Sequence, residues 1–205
     1  MATEVALANQ STYDYCHACG EQVMTYAVRG GEAVELRCSF CGLPVGRQSS
    51  QAEGRLECVL LADDEEFLRW GLSDLLLQNK LAVAVVTCGS GAELVTKFVE
   101  RLRKDQETPL VILDILMKNM DGVAAARALR AVEQGFGVSR PVPIVFLSAL
   151  RPDTALRNFV ARVQPALFLN KGVDNKPDRL AVRLRQMIDY LSRLRTGETA
   201  KAPSS

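Results

Sequence analysis

No charge of one sign dominates this chain of 205 residues: 25 basic and 24 acidic side chains leave a formal net charge of +1. No global field therefore advertises nucleic acid or anionic lipid as a partner. No apolar run approaches the length of about 20 residues needed to cross a bilayer. The first residues, Met-Ala-Thr-Glu-Val-Ala-Leu-Ala, carry neither a basic n-region nor a long apolar stretch. They do not make a signal peptide, and the cytoplasm is the expected compartment. A long internal repeat is also missing. Six cysteines are present, and in a reducing compartment they are expected as thiols or metal ligands rather than disulfides. With 48% hydrophobic and 24% charged residues, the chain has the make-up of one ordinary globular domain plus a small one.

Four of the cysteines lie in the small part. Cys16-His17-Ala18-Cys19-Gly20 and Cys38-Ser39-Phe40-Cys41-Gly42 are two knuckles with 18 residues between them. Zinc takes four ligands in a tetrahedron, and thiolates suit it. Two residues between the cysteines let each pair bite from a tight turn, and the glycine that follows permits that turn's dihedrals. The alternating segment from Glu21 to Arg37, with Arg29-Gly30-Gly31-Glu32 at its middle, predicts a β-hairpin. Residues 1–45 are therefore read as a structural zinc ribbon with ligands Cys16, Cys19, Cys38 and Cys41. A segment this short buries little core, so the metal should carry most of its stability; structural zinc contributes roughly 10–16 kcal/mol in small peptides. His17 is read as a surface neighbour of the ligands. Cys58 and Cys88 are read as small buried hydrophobes. Residues 1–53 hold three basic side chains (Arg29, Arg37, Arg47) against six acidic ones, which favours protein contact over nucleic acid.

The polar stretch 46–55 reads as a linker, and from Leu56 a βα pattern repeats five times. Short apolar runs end at Ala62, Leu113, Leu147 and Leu169, with a further strand over Leu81 to Thr87. Helices are expected over about 65–78, from Gly91 to about Lys104, over 122–133, from Asp153 to about Val163, and from Pro177 to about 194. In the first of these Phe67, Leu68, Leu72, Leu75 and Leu76 recur at helical spacing. This is the signature of a parallel α/β sheet, whose chemistry collects at the carboxyl ends of the strands. Asp63-Asp64, Asp114, Ser148 and Lys171 each fall just there. Three carboxylates, a hydroxyl and an ammonium at one edge make a site for a divalent cation and a phosphoryl group. Residues 56–195 form this second domain, and 196–205, without an apolar face, reads as a disordered tail.

The order, type and spacing of Asp63-Asp64, Asp114, Ser148-Ala149 and Lys171 resemble the response-regulator receiver domain. The loop Asp114-Ile-Leu-Met117-Lys-Asn-Met120-Asp121-Gly122 resembles that family's phosphoacceptor loop. The resemblance implies a doubly wound, flavodoxin-like five-stranded parallel sheet of order 2-1-3-4-5, here preceded by the ribbon. It implies Asp114 as phosphoacceptor and Mg²⁺ held by Asp64, Asp114 and the Leu116 carbonyl, with Asp63 helping through water. It implies Lys171 paired with the phosphoryl oxygens, Ser148 and Phe168 as the switch pair, and about 152–194 as the output face. Two positions depart from the family's usual prolines, Lys118 and Gly172.

The implied function is a two-component response regulator phosphorylated by a sensor histidine kinase or phosphotransfer protein. It is a phospho-accepting signalling protein rather than an enzyme, beyond catalysing its own phosphorylation and dephosphorylation. Only a short tail follows the last helix, so no C-terminal effector domain is expected. Output would pass through protein contacts of the 152–194 face or of the ribbon, without membrane insertion; a homodimer is left open. Two alternatives stand beside this reading: a phosphorylation-controlled nucleic-acid-binding ribbon, and a pseudo-receiver used as a docking scaffold.

Overall fold

Apolar side chains on both faces of a short segment force it between two helical layers, and three segments among the described residues are buried along their whole length. β6 (Leu110–Asp114), β7 (Ile144–Ser148) and β8 (Ala166–Asn170) are buried at every residue. The computed structural model describes residues 12–16, 19, 21–30, 33–45, 55–149, 152–171 and 177–196. Residues 46–54 of the linker, most of the C-terminal tail, His17 and Gly172 lie outside the described residues.

β4 (Leu56–Ala62) and β5 (Ala82–Cys88) complete a five-stranded parallel sheet of order β5-β4-β6-β7-β8. In the order of the strands along this domain that is 2-1-3-4-5, as expected. Along β4 the faces alternate with period two: Val59 and Leu61 join one core cluster, Leu60 and Ala62 the other. The first cluster packs under α1 (Glu66–Gln78) and α5 (Pro177–Thr196), through Leu72, Leu76, Leu184, Met187, Ile188 and Leu191. The second packs under α2 (Gly91–Arg103), α3 (Gly122–Gly135) and α4 (Thr154–Arg162). Among the described residues no helix is long and apolar enough to cross a membrane.

Three helices start on side-chain caps. Ser90, Asp121 and Asp153 accept hydrogen bonds from the backbone of Glu93, Ala124 and Leu156, at 3.2, 2.7 and 2.7 Å. At α1 the corresponding position, Glu65, has no such bond. Instead Asp63 accepts from the Glu65 N–H at 3.0 Å, while Asp64 accepts from the Lys118 backbone. The apolar spacing of α1 misleads at one position: Phe67 is 80% exposed, on the solvent side of a helix whose buried residues are Leu72 and Leu76.

The ribbon forms three antiparallel strands: β1 (Tyr13–Cys16), β2 (Glu21–Gly30) and β3 (Ala33–Cys38), in that order. The expected hairpin is β2–β3, pairing Gly30 with Ala33; β1 carries no alternation long enough to be read from sequence. The second knuckle turns through Gly42 at φ +74°, the left-handed region that its glycine suits.

The ribbon does not stand apart. Its cysteines, with Val23, Phe40 and Leu43, belong to the same buried cluster as Leu167, Leu169, Leu184 and Met187. Arg37 Nη2 donates to the Tyr190 hydroxyl of α5 at 2.9 Å, and Arg157 of α4 lies 5.7 Å from the ring centre of Tyr26.

Candidate phosphoryl and metal sites

The parallel ladder delivers each side chain of the acidic site. Ile115 N–H bonds to the Leu147 carbonyl at 3.0 Å, and Lys171 N–H to the Ser148 carbonyl at 2.7 Å. Those bonds hold Asp114 and Ser148 as the last residues of their strands, not just after them, and place Lys171 one residue beyond β8. Asp63 and Asp64 follow β4 directly.

The carboxylates of Asp63, Asp64 and Asp114 each offer an oxygen within 4.8 Å of the others. Lys171 Nζ donates to Asp63 Oδ2 and to Asp114 Oδ1, both at 2.7 Å. Asp63 is fully buried, and its other oxygen accepts from Glu65 N–H at 3.0 Å. It is thus a direct partner of the lysine, a closer role than the sequence reading gave it. Asp64 is less buried and accepts from the Lys118 backbone at 3.2 Å. One further contributor, Arg69, went unread from sequence, and Gly122 of the acceptor loop has a defined part. Arg69 Nη1 donates to the Asp63 carbonyl at 2.5 Å. Gly122 closes the acceptor loop by donating to the Ile115 carbonyl at 3.0 Å. Arg69's signal was its place six residues after Asp63 on the first helix.

Electrostatics follow from burial. Burial pushes the Asp114 carboxyl above the ordinary carboxylate value, against the downward pull of Lys171. Burial alone would lower the Lys171 ammonium; its bonds to Asp114 and Asp63 outweigh that and hold it above ordinary lysine. The outcome is a hard-oxygen cluster with one resident cation, a donor set that fits Mg²⁺. Ser148 is buried at the same edge. Phe168 is buried in the cluster on the α2–α4 side, where Phe146 and Phe159 meet edge to face at 5.8 Å. Leu116 lies in the loop after β6 with its side chain 61% exposed.

Gly122 sets a steric limit on the loop. A Cβ at this position would overlap the Asp114 carbonyl oxygen, so the start of α3 rests on the end of β6. At the other end of the same helix, a Cβ on Gly135 would meet nothing within 4 Å. Gly122→Ala is expected to lose about 3 kcal/mol and Gly135→Ala to gain about 0.5–1 kcal/mol, opposite shifts measurable in urea melts. Equal effects at the two positions would refute the steric account.

In the ribbon the four Sγ atoms lie within 4.8 Å of one another. Cys16–Cys41 and Cys19–Cys38 stand 3.6 and 3.8 Å apart. That is far beyond the ~2.05 Å of a disulfide. It matches the ~3.8 Å edge of a sulfur tetrahedron around zinc, given a Zn–S bond of ~2.3 Å. Backbone N–H groups of Phe40 and Cys41 point at Cys38 Sγ, 3.3 and 3.4 Å away. Hydrogen bonding to Cys19 holds the Cys16 thiol below its ordinary value, while hydrogen bonding with Cys16 pushes Cys19 and Cys41 above it. The set shares protons that a cation would replace, and its geometry fits zinc. Burial raises Cys58 and pushes Cys88 up to about 12, which leaves both as inert thiols.

Comparison with known proteins agrees with this geometry. The family model of the response regulator receiver domain matches residues 59–185. A protein-glutamate methylesterase/protein-glutamine glutaminase of Caldanaerobacter subterraneus subsp. tengcongensis is 35% identical over 135 residues, 62% of this chain and 34% of that protein. Chemotaxis protein CheY of Bacillus subtilis is 32% identical over 75 residues, 37% of this chain and 58% of CheY. The receiver domain of the histidine kinase CKI1 from Arabidopsis thaliana, complexed with Mg²⁺ and BeF₃⁻, superposes with a TM-score of 0.55 at 26% identity, covering 65% of this chain and 90% of that one. The chain spans about a third of the methylesterase's length, and the esterase activity is that protein's. The matched segment holds every member of the acidic edge and all of the parallel sheet except the first three residues of β4, and the chain belongs to the response regulator receiver domain family.

Proposed function

We propose that this chain is a two-component response regulator that accepts a phosphoryl group on Asp114. The observation that carries the reading is the Lys171 ammonium held 2.7 Å from both Asp63 and Asp114, beside a third carboxylate. A carboxylate attacks phosphorus poorly unless the phosphoryl charge is neutralised. Asp63, Asp64, Asp114 and the Leu116 carbonyl would hold Mg²⁺, which supplies that neutralisation when bound. The CKI1 receiver, solved with Mg²⁺ and BeF₃⁻, supports the same cation for this donor set.

In the proposed transfer an Asp114 carboxylate oxygen forms a bond to phosphorus as the bond from phosphorus to the donor's histidine nitrogen breaks. Lys171 turns from its carboxylates to the incoming phosphoryl oxygens, and the Ser148 hydroxyl donates to one of them. That movement vacates space beside Phe168, which makes Ser148 and Phe168 the switch pair. The donor is a histidine kinase or phosphotransfer protein, and output passes through protein contacts. Nucleic-acid binding by the ribbon gains no support, since Arg37, one of its few cations, is engaged by Glu35 and Tyr190.

Incubation with acetyl phosphate and Mg²⁺ should add one phosphate to the wild-type chain by intact mass, and none to Asp114→Asn. No mass gain in the wild type would sink the proposal. Asp114→Asn should also melt a few degrees higher in the absence of Mg²⁺, because it removes a charge that burial disfavours. The sign follows from the raised carboxyl. The folded state holds its proton more tightly than the unfolded chain does. The destabilisation thus grows as pH rises from the ordinary carboxylate value through the raised one, and it is absent below that window. The advantage of Asp114→Asn should vanish at the acid end.

A further inference from the structure

β8 ends the parallel sheet: β7 pairs with one side of it, and no strand among the described residues pairs with the other. Such an edge leaves backbone groups free for another chain to pair with. Yet all five residues of β8 are buried. Lys171 N–H bonds inward to β7, so by alternation along the strand the N–H groups of Phe168 and Asn170 face outward. The second zinc knuckle lies there. A Cβ on Gly42 would stand 3.5 Å from both the Phe168 backbone nitrogen and Leu167 Cδ2. On the α5 side, Arg37 donates to Tyr190 at 2.9 Å and Tyr190 donates to Glu35 at 3.3 Å. On the α4 side, Arg157 stacks 5.7 Å from the centre of Tyr26. The ribbon therefore touches α4, β8 and α5 together.

Two of the residues that make these contacts flank the metal ligands. Arg37 precedes Cys38, and Gly42 follows Cys41. A ribbon this small cannot hold its own fold by burial alone, so its seat depends on the cation that gathers the cysteines. We infer that the ribbon is a metal-dependent cover over the β8 edge and the α4–α5 flank, and that any outside protein using that face must displace it. The inference rests on the phosphotransfer reading only in calling this surface the output face. One short strand carries both events: Lys171 follows its last residue and the ribbon lies along its edge. Whatever energy links ribbon seating to phosphorylation acts equally in both directions.

Hydrogen exchange on the full chain tests this, comparing zinc-loaded protein, chelator-stripped protein and the zinc-loaded double variant Arg37→Ala/Tyr190→Phe. The amides of Phe168 and Asn170 are expected to exchange about tenfold faster after stripping, while those of 110–114 in β6 hold their rate. The double variant should show the same pattern with its metal retained. Unchanged exchange of the β8 amides after stripping overturns the inference. If stripping also speeds the β6 amides, the whole molecule has loosened and the double variant decides. Faster β8 with unchanged β6 then supports the cover, and unchanged β8 refutes it. Phosphoryl uptake is scored separately, and its failure would leave the exchange result standing.

Discussion

Lys171→Met is expected to lose about 3–5 kcal/mol of folding stability in a chelating buffer, the usual cost of stripping one partner from a buried ion pair. The lysine bridges Asp63, which is fully buried, and Asp114, which is nearly so. Without it two carboxylates face each other beside Asp64 with no cation between them. Lys171 is also the group that holds the Asp114 carboxyl down against burial, so its removal lets that carboxyl rise further. The loss should therefore be full at neutral pH and shrink as pH falls through the raised value and the carboxyl takes up its proton. Mg²⁺ should restore part of it, and phosphoryl uptake should slow by on the order of 100-fold. Lys97→Met is the fitting control, because its partner Glu100 is 3.4 Å away and exposed. That change should cost under about 0.5 kcal/mol. Equal urea midpoints for the two variants would show that the lysine bridge contributes nothing special.

The second large effect belongs to the ribbon. Cys38→Ser should reduce bound zinc from one per chain to none and unfold the segment around 13–45, leaving the parallel sheet folded. Cys38 is fully buried and accepts from two backbone N–H groups, so no other side chain can take its place at the cation. Structural zinc contributes roughly 10–16 kcal/mol in isolated fingers, far more than a three-stranded sheet this small can recover by packing. Cys58→Ser, a buried thiol of β4, should keep its zinc while losing some stability. Elemental analysis by mass spectrometry, paired with far-ultraviolet circular dichroism, separates the two. A Cys38→Ser chain that still binds one zinc would refute the four-thiolate site.

Most of the parallel sheet is legible because its strands are buried on both faces and read as unbroken apolar runs. The helix start at Asp153 is equally legible, since a short polar side chain before a helical pattern has one common use, whereas Asp121 reads only as part of the acceptor loop. The carboxylates, Ser148 and Lys171 could be placed because parallel topology delivers strand ends to one edge. Other features turned on distances that no local pattern encodes. Phe67 reads as a core residue by spacing alone, yet it is exposed. β1 is four residues long and pairs with β2 without an alternation of its own. The seating of the ribbon depends on Arg37 meeting Tyr190, a contact between residues 153 positions apart. Composition reads 46–55 as a linker, and only the contacts show that the apolar knuckle ahead of it joins the cluster beneath α5.

That separation has a consequence for how the molecule is made. The ribbon is synthesised before β8 and α5, on which it sits. At ~5–20 residues per second it waits roughly ten to thirty seconds for its seat to exist. Through that interval packing against the sheet cannot help it, and the nascent knuckles have only the cation to fold around. Metal supply during translation, more than the strength of the finished interface, would then set how many chains emerge with the ribbon in place.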